Sequence, residues 1–145
     1  MSQSLLGLTV CLCLIADAGD DAVKKELAAI EGEWSMVGSE RDGQPLPPRL
    51  VRGARRICRG DVTTVTVNGQ LLMRAKFAVD PAKQPKTLDY EVTEGRNQGS
   101  KQLGIYELDG DTMKICLADP GNERPTDFVT KGKRGYTVGV WKRQR

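Results

Sequence analysis

The side chains able to do chemistry in this chain are carboxylates, lysines, tyrosines and four cysteines; the 145 residues contain no histidine. Without imidazole the chain lacks the commonest general base and the commonest metal ligand. Ser-His-Asp and Cys-His nucleophilic systems are therefore excluded within it. A zinc site would need four sulfur or carboxylate ligands, and no Cys-x-x-Cys pair starts one. Paired carboxylates for glycoside chemistry must converge on a cleft. Glu91 and Glu107 fall on different expected strands, and Asp89 and Glu91 alternate with Leu88, Tyr90 and Val92, which places them on a solvated face. The acids of Glu107-Leu108-Asp109-Gly110-Asp111 fail the spacing of a calcium loop and read as a hairpin turn. Arg59-Gly60-Asp61 spells an adhesion tripeptide, but Gly-Asp is the ordinary chemistry of a tight turn. No catalytic residue, metal ligand or cofactor is assigned, and the chain is not expected to be an enzyme.

Charge carries more information. The net charge is only +3, yet Arg49 to Arg59 holds five arginines and no acid, and Phe128 to Arg145 holds six Lys or Arg and no acid. Such clusters attract anions by their long-range field, or simply keep a surface solvated. Nucleic acid is a poor fit, because the aromatic residues do not interleave with the basic runs.

The elements that would carry these residues begin after an apolar stretch, Leu5 to Ala16, followed by Ala16-Asp17-Ala18. The run has the length of a signal-peptide core, is too short to span a bilayer, and ends in an A-x-A cleavage pattern. Residues 1–18 are accordingly expected to be a signal peptide and the protein to be exported, with no membrane-spanning segment after cleavage. Lipid anchoring at Leu8-Thr9-Val10-Cys11 is the lesser alternative. Cleavage would leave Cys58 and Cys116, as one disulfide or, by slight preference, as two buried free thiols.

Residues 19–31 are expected to hold a short helix, running from about Ala22 to Ile30 behind an Asp20-Asp21 cap, with Val23, Leu27 and Ile30 on one face. From residue 32 the period changes to two. Strands are expected at 33–40, 54–59, 62–67, 71–79, 87–93, 102–108, 112–118 and 136–143, with Arg41 to Pro48 a long loop and Phe128 opening a final segment. Asn68-Gly69 and Asp109-Gly110 are hairpin turns. Eight short alternating strands joined by tight turns predict an all-β fold. Closing them into an antiparallel up-and-down barrel removes the exposed edges and leaves room for one small ligand. Met73, Phe77, Leu88, Tyr90, Ile115 and Val138 are the inward candidates.

Gly32-Glu33-Trp34, a G-x-W at the start of the first strand, resembles the lipocalin motif. Further matches run through the chain in order: Asp42-Gly43-Gln44-Pro45-Leu46-Pro47, Pro85-Lys86-Thr87-Leu88-Asp89, Gly104 to Asp111, Ile115-Cys116-Leu117-Ala118 and Glu123 to Phe128. Together they resemble a lipocalin-like domain family abundant in planctomycete bacteria and lacking an assigned function. The resemblance implies a lipocalin-like barrel over residues 32–145. It also implies that Trp34 closes the base, with Arg143 on the last strand as its partner. It implies no substrate.

If the first strand starts at the base, the loops joining strands one to two and seven to eight share the mouth. Arg52, Arg55, Arg56, Lys133 and Arg134 on that rim, with Phe77, Tyr90 and Tyr106, are the candidate ligand-binding residues. The expected function is a monomeric binding module for a small apolar or amphipathic ligand, anionic in one version. Two alternatives stand beside it: a structural or interaction protein of the cell envelope with a filled barrel, and a carboxylate-based enzyme.

Overall fold

The computed structural model describes residues 18–145. The signal-peptide expectation, with Cys11 and Cys13, lies outside the described residues. Helix α1 spans Ala18–Ile30, four residues earlier in its start than the periodicity suggests, with Asp20 and Asp21 in its first turn. Strands follow at β1 Gly32–Arg41, β2 Gln44–Pro45, β3 Ala54–Arg59, β4 Val62–Val67, β5 Gln70–Asp80, β6 Lys86–Gly95, β7 Lys101–Asp109, β8 Thr112–Ala118 and β9 Tyr136–Arg143. A second helix, α2, occupies Pro48–Gly53.

Each strand from β4 to β9 pairs antiparallel with the one before it, and β1 pairs with both β3 and β9. Eight strands thus form a closed up-and-down barrel, and β2 is a short extra strand on the edge of β1. The expected loop from Arg41 to Pro48 is therefore a correction. Asp42 and Gly43, both at positive φ, form a tight turn into β2, and α2 follows with Pro48 at its start. Proline suits that place, because the first helical N–H has no intrahelical partner anyway. Phe128 opens no strand; residues 119–135 cross the outside of the wall as a long loop.

Two apolar clusters result from the alternation. The larger lies inside the barrel and includes Trp34, Phe77, Leu88, Tyr90, Tyr106 and Met113. The smaller is Ile105, Cys116 and Val138 on the outer face, covered by Phe128 of the long loop. Val138 thus points outward, because its neighbours Thr137, Gly139 and Trp141 take the inward positions of β9. The two remaining cysteines are free, Cys58 with the inner cluster and Cys116 with the outer one. Burial pushes the Cys116 thiol up to about 11.

The closed end is built around Trp34, which has no solvent exposure. Its Nε1 donates to the carbonyl of Ile30 at 2.9 Å. Arg143 lies over the ring, 4.3 Å from its centroid, and donates to the carbonyls of Ala29 and Glu31 at 2.5 and 2.6 Å. The last turn of a helix leaves such carbonyls unpaired, and a cation there also meets the negative end of the helix dipole. Gly32 sits at φ +129°, and a Cβ there would come within 2.8 Å of the Arg143 guanidinium. Glu26 completes the seam, accepting from the Tyr106 hydroxyl at 2.9 Å and from Lys86 at 2.8 Å.

Candidate functional site

Alternation puts Ala54, Arg56 and Cys58 of β3 on the buried side, and the barrel closes around them. Below Arg56, towards α1, side chains fill the lumen. Ile30, Phe77, Leu88, Tyr90, Tyr106 and Met113 leave a void of only about 10 Å³. Above Arg56, towards the mouth, the lumen is hollow. A cavity of about 400 Å³ is lined by Met36, Leu46, Leu50, Val65, Met73 and Leu117 among its apolar side chains. That volume lies within the range of ~300–1,000 Å³ typical of small-molecule sites. Helix α2 contributes Leu50, the β4–β5 hairpin Leu72, and the β6–β7 turn Arg96 and Asn97.

Arg56 forms the boundary between the two halves and belongs to the lining of both. It is 6% exposed. Its Nη1 donates to Thr63 Oγ1 and to the Tyr90 hydroxyl, each at 2.8 Å. The guanidinium carbon lies 4.5 Å from the Trp141 ring centroid and 6.0 Å from that of Tyr90. Nε has no hydrogen-bond partner, and among the described residues no carboxylate pairs with this cation. Burying an ion costs several kcal/mol unless a counter-charge compensates it. Two aromatic faces return about 0.5–2 kcal/mol each. Burial raises the Tyr90 phenol well above its ordinary range, so it stays protonated beside the arginine.

Two further arginines reach the cavity from the mouth. Arg41 makes paired hydrogen bonds to Asp119, at 2.9 and 2.5 Å, and a third to Thr137. The Arg41 guanidinium holds the Asp119 carboxyl below its usual range. Arg96 also lines the cavity. Three arginines and one aspartate thus line the cavity, and that aspartate is held as an anion. A carboxylate in this state is suited to an ion pair; a general acid at neutral pH would need the opposite shift.

The other sequence candidates are placed as follows. Arg56 and Tyr90 meet, and Phe77 packs against Tyr90 with ring centroids 6.3 Å apart. Tyr106 lies in the filled half under α1. Arg52, Arg55 and Arg134 are exposed, and Arg55 donates to the carbonyls of Arg52 and Ala54. Lys133 pairs with Asp127 in the long loop at 2.7 Å. Of the eight expected ligand-binding residues Arg56 alone lines the cavity; Phe77 and Tyr90 lie with Tyr106 in the filled half. Arg41 and Arg96 were outside the sequence candidates. Arg41 falls at the start of the expected Arg41 to Pro48 loop but ends β1, and its direction depends on a bulge that register alone reveals.

No protein-family model, curated protein or solved structure matches the chain. Among the described residues, no group of three or more acids and cysteines is placed to hold a metal ion, and no helix is long and apolar enough to cross a membrane.

Proposed function

We propose that the chain is a lipocalin-like binding module holding one small amphipathic molecule in the mouth half of its barrel. The observation that carries this reading is the apolar cavity of about 400 Å³, open at the end away from α1. The Gly32-Glu33-Trp34 motif, seated under Arg143 at the other end, supports the lipocalin-like part. A filled barrel acting as an envelope interaction protein draws support from the base half alone.

N-phenyl-1-naphthylamine, an uncharged probe whose emission rises in apolar surroundings, tests the reading. One saturable site per chain is expected, and Leu117→Trp, which places an indole in the cavity, should abolish it. No saturable binding to the wild-type protein, together with native mass spectra free of any adduct, would overturn the proposal.

A further inference from the structure

We infer that Arg56 is the seat of an anionic head group, so that the ligand enters head first with its apolar body towards the mouth. The inference rests on the binding role proposed above and names the charge of the ligand. Four observations converge on it. Arg56 is more than nine-tenths buried and has no carboxylate partner among the described residues. Its Nη1 is occupied by Thr63 and Tyr90, its Nε is buried and unbonded, and its Nη2 makes no hydrogen bond among the described residues. It stands at the floor of the cavity, where the filled half begins. The remaining ionic groups of the lining are Arg41, Arg96 and one aspartate already paired with Arg41, so the potential along the entry path is positive.

The fit is specific to a compact anion on an apolar body. A guanidinium presents its donors in a planar fork, matched to the oxygens of a carboxylate or a phosphate. Trp141 and the Tyr90–Thr63 pair hold that fork, so the head group meets an ordered donor. Above it, Val65, Met73 and Leu117 offer apolar surface, with Ser39, Gln102 and Thr137 as neutral polar neighbours. A neutral amphiphile of the same length would leave the guanidinium unpaired, and a cation would be repelled.

Titration calorimetry with decanoate, decanol and decyl phosphate tests the inference on the wild-type chain without any substitution. Decanoate or decyl phosphate should bind at least tenfold more tightly than decanol, and whichever anion is tighter identifies the head as carboxylate or phosphate. Equal affinity of all three ligands would overturn the inference. If the uncharged naphthylamine probe still bound, the binding module itself would stand. Arg56→Met should erase the preference for the anion and leave Tm unchanged or higher. A merely structural arginine would give the reverse: a lower Tm with the anion preference intact.

Discussion

Trp34 and Arg56 are both buried large side chains, and their roles separate on energetic grounds. Trp34 has every polar atom met and carries Arg143 on its face. Its removal leaves a void at the closed end with no side chain free to fill it. Trp34→Ala is expected to lower stability by about 3–5 kcal/mol, the usual cost of deleting a buried tryptophan, read from the shift in a urea unfolding curve. An effect below about 1 kcal/mol would place the closure of the base elsewhere. Arg56 is the opposite case, a cation kept where a hydrophobic residue would cost less. Stability does not explain such a residue; a bound counter-charge would.

Helix α1 is held to the barrel by three devices: the apolar stripe of Val23, Leu27 and Ile30, the Arg143 cap, and Glu26. The Glu26 side chain is 12% exposed and accepts from two strands at once, Tyr106 on β7 and Lys86 on β6. Glu26→Ala should therefore cost about 1–3 kcal/mol, since it leaves a buried hydroxyl unpaired. Hydrogen exchange should quicken in the amides of α1 well before those of β6 and β7. Uniform quickening across the barrel would show that helix and barrel open as one unit. The long loop is pinned in the same manner. Thr130 donates to Glu40 and accepts from the Gly43 N–H, and Asp42 accepts from the N–H of Gly135. The Asp42-Gly43 turn thus has two partners 87 and 93 residues away.

Across the mouth of the barrel an ion pair ties the wall together. Arg41 of β1 reaches Asp119, which follows β8, over the rim of the cavity. The folded protein holds Asp119 below its usual range. A depressed carboxylate contributes stability above its unfolded value, near pH 4, and loses it as the pH falls through the folded value. Asp127, paired with Lys133, shifts the same way. Tm should thus fall on acidification below about pH 4, and Asp119→Asn should fall less steeply, its deficit at neutral pH closing as the wild type is titrated. Parallel Tm curves for the two proteins over that range would show that the pair is not linked to folding.

Much of the frame was legible in the residues. Strict alternation set the eight barrel strands to within one or two residues at each end, because a wall with one dry face leaves a period of two in the chain. Asn68-Gly69 marked its turn because both residues take positive φ, and Asp109-Gly110 marked the next hairpin through Gly110, the residue at positive φ just after β7 ends. Glycine ahead of Trp34 is explained by the arginine that closes on it. Other features waited for the closed barrel. A bulge between Met36 and Gly38 shifts the pairing of β1 with β9 by one residue. Its parity reverses, so Arg41 lines the cavity while Glu40 bonds Thr130 of the long loop. Val138 turned outward because the loop carrying Phe128 supplies the outer face with its own core. The basic runs left an anionic partner and a merely solvated surface both open, and they could not show which arginine lacks a counter-charge. That property belongs to no local pattern. It depends on what seven other strands bring to the same depth of the lumen, and at the depth of Arg56 they bring aromatic rings, hydroxyls and an open space.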